Sequence, residues 1–424
     1  MLRRTPVLAA AVTTLLLAAG CSDDGSDKDS QKAVKPAPVE VSVKEPTAEP
    51  VKIGVLATLS TQRGQGADVL PGAEGARVAA YRLDMGGQDV ELVVQDDAGT
   101  EVGARSAVEA LVNQRVAAIV AATTGEHVVP ALQDAADADT AVLLPYLRTS
   151  SELPANSWVT GPTATQVNEA LKQSLAAHEL SSPFVVTGDG VELSGISGAG
   201  SATYTPGGTD ALVRQIQAAQ KASQVDSVVI AASAESQADV VSSLQGGLAG
   251  IPTLMTPEAL SPLFGDSLTK TGGTTSGRFI TVGQDASDAT TMTAGDRADA
   301  VASYFAGLRL VSTSTTTDLF GSVPFKQVAA GADTLSHDAV MTVVAAALEA
   351  GSTEAAEVLG ALDGLKVDQG DGLAGPELDL SDQSALADGD VVELNATTQN
   401  PGVRPGHEAG QLYWFAVPVG TESG

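Results

Sequence analysis

The chain has 424 residues, with 52 acidic against 23 basic side chains, a net charge of −29 and only 3% aromatic residues. So acidic a body repels DNA, RNA and anionic lipid, which excludes nucleic-acid binding, and it has few rings on which to build a stacking pocket. Cys21 is the single cysteine, so an intramolecular disulfide and a thiolate metal cluster are both excluded.

The first twenty residues read as an export signal. Arg3 and Arg4 supply a positive start, residues 7–17 a short apolar run, and Ala18-Ala19-Gly20-Cys21 follows. The uncharged stretch is too short and too rich in small residues for a stable membrane span. Leu17-Ala18-Ala19-Gly20-Cys21 resembles a bacterial lipobox, with Ala18 where Leu is usual, which makes Cys21 the lipid attachment point and mature N-terminus. Residues 21–50 then read as a disordered tether, because Ser, Asp, Lys, Pro and Glu dominate and little apolar surface repays ordering. Such a coil spans roughly 30 Å.

From Val51 the chain alternates β-branched runs with Ala-rich helical patterns. Val51-Lys52-Ile53-Gly54-Val55-Leu56 predicts a buried strand. Val69, Ala73, Ala76, Ala80 and Leu83, spaced by fours and threes, predict one helix face. Strands are expected at 89–95, 116–121 and 141–145, with helices at 101–113 and 127–138. The pattern restarts with helices at 163–179, 209–223 and 235–248 and strands at 183–187, 201–204, 226–231, 252–256 and 278–282. Helices at 294–308 and 336–350 follow, and 391–396 and 411–417 alternate like an antiparallel pair. This βαβα repetition implies α/β architecture with parallel sheets and right-handed crossovers, and a crevice at the carboxyl ends of the strands.

Val51-Lys52-Ile53-Gly54-Val55-Leu56-Ala57-Thr58-Leu59-Ser60 resembles the opening strand of the leucine/isoleucine/valine-binding family of ABC-transporter receptors. The resemblance continues through Pro71-Gly72-Ala73-Glu74, residues 90–99, Tyr204-Thr205-Pro206-Gly207-Gly208-Thr209-Asp210 and Gly351-Ser352. It implies the type I periplasmic-binding fold: two Rossmann-like lobes joined by a three-crossing hinge, closing on a ligand. Crossings are expected at Trp158-Val159-Thr160-Gly161, near Val282-Gly283-Gln284 and within 362–367. The first lobe is then 51–160 plus 285–362, and the second 161–284 plus 363–424, following the leader at 1–20 and the tether at 21–50.

The resemblance also places a ligand. Thr123 and Thr124 precede a helix, where they either meet a ligand carboxylate or cap the helix. Thr149 is the best match to the family's ligand-binding Thr. Its neighbours Tyr146 and Arg148 have no counterpart in that pattern, and Arg148 either binds an acid bidentately or faces solvent. Glu258 falls where relatives bind the α-ammonium, and the alternative is an acid favoured by a helix N-terminus. Ser233 stands at a position that is aromatic in relatives, and Asp189 and Glu192 lie within reach of the cleft. These departures turn the expectation from leucine toward a polar or cationic ligand.

Enzyme readings are weaker. Gly265-Asp266-Ser267-Leu268 matches a serine-esterase tetrapeptide but lies deep in the chain. Ser336-His337-Asp338 reads as a helix cap with a surface polar group, and His127, His178, His337 and His407 show no metal-ligand spacing. No catalytic residue, metal or cofactor is expected. The expected protein is an extracytoplasmic, lipid-anchored receptor that delivers a small amino-acid-like solute to an ABC permease. The alternative is a sensor or interaction protein on the same fold.

Overall fold

A computed structural model describes residues 38–59, 66–191, 193–248, 250–275, 277–405 and 411–416. Cys21, the leader, the first part of the tether and Glu192 lie outside the described residues.

β1 (Val51–Ala57), β2 (Val90–Asp96), β3 (Ala118–Ala122), β4 (Ala141–Leu143) and β5 (Ser157–Trp158) form a parallel sheet in the order β2-β1-β3-β4-β5. Successive side chains leave a strand on opposite faces, so a sheet covered on both sides reads as a continuous apolar run. Ile53, Val55, Ala118 and Val120 join one core cluster, while Leu56, Ile119 and Ala121 join another. The second is covered by α3 (Glu101–Asn113) and α4 (Val129–Ala136), which follow β2 and β3.

The first predicted helix is broken into α1 (Leu70–Ala73) and α2 (Gly75–Met85). The break falls at Glu74, and the glycines on either side of it pack closely against the start of a helix far along the chain. A Cβ on Gly72 would lie 2.4 Å from Asp333 Oδ2, and one on Gly75 would lie 2.0 Å from the Asp333 carbonyl oxygen. Ala73, Ala76 and Leu83 are buried as the spacing predicts, but so are Val78 and Ala79, while Ala80 is half-buried.

The second sheet takes β6 (Pro183–Thr187), β7 (Gly200–Thr203), β8 (Ser227–Ala231), β9 (Thr253–Met255) and β10 (Phe279–Gln284), all parallel. α5 (Ala164–Ala177) lies on one face, and α6 (Thr209–Lys221), α7 (Ala234–Gly247) and α8 (Pro262–Lys270) pack together on the other. Ser267 lies inside α8, away from the strand-to-helix turn that a nucleophilic serine of that kind needs.

The chain then returns to the first lobe. α9 (Asp296–Thr313) and α10 (Thr334–Ala350) pack on α2, and α11 (Ala355–Leu362) packs on β3 and β4. β11 (Lys366–Val367) and β12 (Leu378–Asp379) form a small antiparallel pair. Only at β13 (Val391–Thr397), antiparallel to β10 and to β14 (Tyr413–Ala416), does the chain rejoin the second sheet.

The third crossing therefore differs from the expectation at 362–367. Residues 363–386 remain on the first lobe: Trp158 Nε1 donates to Leu380 O at 3.0 Å, and Val159 exchanges backbone hydrogen bonds with Gln383 and Ala385 at 2.7 and 3.0 Å. The passage lies between Leu386 and Val391, directly beside the first crossing.

Two further expectations are corrected. Residues 38–50 are not a free tether. Val41 is buried, its N–H donates to Arg82 O at 3.2 Å, Arg82 Nε donates to Val39 O at 2.9 Å, and Thr47 N donates to Gln88 Oε1 at 2.9 Å. Composition understated this because one valine and a few backbone groups suffice once a complementary surface exists. His337 is likewise no surface group. Asp333 caps α10, and His337 is wholly buried between Asp338 Oδ1 at 2.6 Å and Arg82 Nη1 at 2.8 Å, its charged form disfavoured by burial.

Candidate functional site

The carboxyl ends of the two sheets face each other across a cleft that holds a cavity of about 200 Å³. Both lobes line it. Asp68, Tyr146, Arg148 and Asp333 come from the first, and Glu258, Phe264, Leu394 and Trp414 from the second.

Arg148 follows β4 and Glu258 follows β9, and their side chains meet as an ion pair across the cleft. Each is largely removed from water, with 15% and 5% of its side chain exposed. The Arg148 Nη2 group donates to Glu258 Oε1, while Glu258 Oε2 is buried with no partner among the described residues. A buried carboxylate oxygen without a donor is costly, so this atom is poised to receive one.

Asp68 makes two more bridges between the lobes. Its Oδ2 accepts from Ala234 N at 3.0 Å, at the start of α7, and its carbonyl accepts from Ser261 Oγ at 2.7 Å. Burial pushes the Asp68 carboxyl up to about 6. The Ala234 N–H opposes that shift, and Glu258, Glu235 and Asp189 add to it.

Tyr146 closes the inner wall. Its hydroxyl donates to Asp333 Oδ1 at 2.7 Å and lies 2.7 Å from Ser336 Oγ, and burial holds the phenol well above its ordinary range. Asp333 is itself pushed up to about 6 by burial. Opposite, Arg404 Nε contacts both Asp288 oxygens at 2.9 and 2.8 Å, and Nη1 donates to Ala330 O and Ala332 O at 2.9 and 2.7 Å. Its guanidinium lies 5.0 Å over the Phe305 ring.

Of the sequence-predicted site residues, Tyr146, Arg148 and Glu258 meet at the cavity. Thr123 does not. Its Oγ1 lies 2.7 Å from Thr58 Oγ1 and accepts from Gly125 N at 3.2 Å, while Thr58 donates to Asp97 Oδ2 at 2.9 Å. One hydroxyl has one proton to give, and here it is committed to a network within the first lobe that also brings His127 Nε2 within 2.9 Å of Asp97. It does not cap a helix either, because Gly125 holds that position. Thr124 follows it outside the cavity lining. Thr149 turns away, donating to Glu126 Oε2 at 2.9 Å and accepting from Ser151 N at 2.9 Å.

Asp189 and Ser233 hold each other. Asp189 Oδ2 accepts from Ser233 Oγ at 2.6 Å, and Ser233 caps α7. They position the helix start that Asp68 meets. Sequence reasoning missed Asp68, Asp288, Asp333 and Arg404. Only Asp333 carried a local signal, as a helix-capping acid just before an apolar run.

Glu74, behind the cavity wall, accepts from Leu319 N at 3.0 Å, and burial pushes its carboxyl up to about 7. With Asp68 and Asp333, it makes the folded protein hold protons that the unfolded chain releases near pH 4. This contribution to stability is complete below that pH and is lost as pH rises through about 6 to 7. The melting temperature is expected to fall between pH 5 and pH 8, and Glu74→Gln should flatten part of that fall in a calorimetric series. A slope unchanged by the substitution would remove Glu74 from this account.

Among the described residues, no three His, Cys, Asp or Glu side chains come together as metal ligands, and no helix is long and apolar enough to cross a membrane. A protein-family model described as periplasmic binding protein matches residues 50–399. No curated protein sequence matches the chain. Similar solved structures include the branched-chain amino acid transporter substrate-binding protein LivJ of Streptococcus pneumoniae in complex with isoleucine. It is 16% identical, covers 87% of this chain and 99% of its own, and has a TM-score of 0.62. An ABC transporter substrate-binding protein of Desulfitobacterium hafniense, in complex with Leu, is 15% identical with coverages of 87% and 100% and a TM-score of 0.59. A fatty acid ABC transporter substrate-binding protein of Thermomonospora curvata is 17% identical with coverages of 87% and 92% and a TM-score of 0.58. At these identities the likeness establishes the fold: two lobes with parallel central sheets, as in type I periplasmic binding proteins.

Proposed function

The chain belongs to the periplasmic binding protein family, and on that premise we propose that it captures a small polar, amino-acid-like solute between its lobes for delivery to an ABC permease. It works on the extracytoplasmic face of the cell membrane, tethered by lipid on Cys21. One observation carries the ligand reading: Glu258 Oε2 is buried at the cavity and has no donor among the described residues. A ligand ammonium or amide N–H would complete its hydrogen bonding.

The wall chemistry supports a cation-bearing solute. Among the described residues, Asp68, Glu258, Asp266, Asp288 and Asp333 line the cavity against Arg148 and Arg404. An apolar portion of the same solute would rest on Leu260, Phe264, Leu394 and Trp414. Small-molecule sites combine such apolar walls with a few placed polar groups.

The test is a thermal-shift screen of the soluble body against amino acids, amides, short peptides, polyamines and carboxylates. A ligand that binds only the folded state stabilises it by about 2.7 kcal/mol at a hundredfold excess over its Kd. Cation-bearing members are expected to raise the melting temperature, and plain carboxylates are not. A well-folded protein unmoved by the whole panel would overturn solute capture and favour the sensor or interaction reading.

A further inference from the structure

We propose that Arg148 is a specificity-determining residue that acts as an internal cation: it takes half of the Glu258 carboxylate, closes the cleft without a ligand, and excludes small cations. This deepens the solute-binding reading and rests on the cleft being the solute site. The carriers are geometric. Arg148 belongs to the first lobe and Glu258 to the second, and the pair spans the gap that a bound solute would bridge. The bond uses Glu258 Oε1 and leaves Oε2 unpartnered among the described residues.

Two consequences follow from the charge arithmetic. With Arg148 in place, the ion pair is neutral, so Glu258 offers an incoming solute a single hydrogen-bond acceptor rather than a full charge. A bare ammonium or guanidinium ion at Oε2 has too little to gain, because Arg148 already neutralises the carboxylate and the small ion brings no apolar body to fill the cavity. A solute with an apolar body fills the cavity as well, and it reaches Oε2 without displacing Arg148. Closure also has its own protein contacts: the Arg148–Glu258 pair, together with Asp68 to Ala234 at 3.0 Å and Ser261 to Asp68 at 2.7 Å. The closed state is therefore populated before the solute arrives, and solute binding adds to it.

Removing the Arg148 side chain leaves Glu258 as an uncompensated buried carboxylate, the situation in which an added cation gains most. The probe is methylguanidine, which matches the missing head group. Three proteins are compared by calorimetric titration and by the X-ray scattering radius without ligand: wild type, Arg148→Ala, and the double variant Arg148→Ala with Glu258→Gln.

Methylguanidine is expected to bind Arg148→Ala at least about tenfold more tightly than wild type, and the double variant is expected to lose that gain. The unliganded Arg148→Ala protein is expected to scatter as a more open particle, and methylguanidine should return it to the wild-type radius. The double variant carries no unpaired charge and serves as the folded control. Equal methylguanidine binding by wild type and Arg148→Ala would overturn the inference, as would a gain that survives in the double variant. If wild type binds a panel solute while Arg148→Ala gains nothing, the inference fails and the solute-binding reading stands. If Arg148→Ala gains methylguanidine while wild type ignores the whole panel, the internal-cation role stands and the transport reading falls.

Discussion

Arg404→Ala is expected to destabilise the protein by about 3–5 kcal/mol, the range for stripping one partner from a buried ion pair. Arg404 holds Asp288 through Nε and ties the carbonyls of Ala330 and Ala332 through Nη1. Without it, Asp288 loses its counter-ion in a site where 6% of its side chain is exposed, and two carbonyls lose their donor. The Phe305 face loses its cation as well. Denaturant unfolding monitored by circular dichroism measures the loss, and Arg404→Lys separates charge from shape. Lys restores the charge but not the fork that spans the carboxylate and the backbone, so it should recover only part of the stability. A loss below about 1 kcal/mol, the level of an exposed pair, would show that the site is wetter than its packing implies.

Glu258→Gln is expected to have the largest effect on function while leaving the protein folded. It replaces the carboxylate at nearly constant volume, leaves a carbonyl oxygen for Arg148, and removes the charge-assisted acceptor from the cavity. Leaving the solute's buried N–H without its acceptor costs about 1–3 kcal/mol, which is roughly five- to more than a hundredfold in affinity. The solute that shifts the wild-type melting temperature should therefore leave the variant unmoved at the same concentration. The unliganded variant should remain folded but melt several degrees lower, because Arg148 loses its buried counter-ion. Equal solute affinities in the two proteins would show that the bound solute does not engage Glu258.

Neither effect follows from local sequence alone, and the reason differs between the two residues. Glu258 stands at a recognisable place, after a strand and just past a proline, where the family resemblance expects a ligand acid. Its meeting with Arg148 was invisible, because the two lie in different lobes and only closure brings them together. Arg148 was marked by departing from the family's loop. In the same loop the Thr149 hydroxyl bonds Glu126 and Ser151, away from the cavity. Arg404 lies in a Pro- and Gly-containing segment with no periodic pattern. Its importance arises from the chain folding back to bring it to Asp288, 116 positions earlier.

What the sequence determined by itself is the alternation of strands and helices and the pairing of parallel sheets. Periods of 2 and 3.6 are local properties of the chain, so α3 at Glu101–Asn113 and β6 at Pro183–Thr187 match their predicted spans residue for residue. Tertiary structure decided the close packing at Gly75, the burial of Val41 and His337, the late third crossing and the membership of the cavity wall. Each of these depends on what a distant segment presents: the Asp333 carbonyl to Gly75, Arg82 to Val41 and His337, and Val159 to residues 383–385. A residue's own neighbours in sequence fix its direction along a strand or helix, but burial and charge pairing are fixed by the surface brought against it.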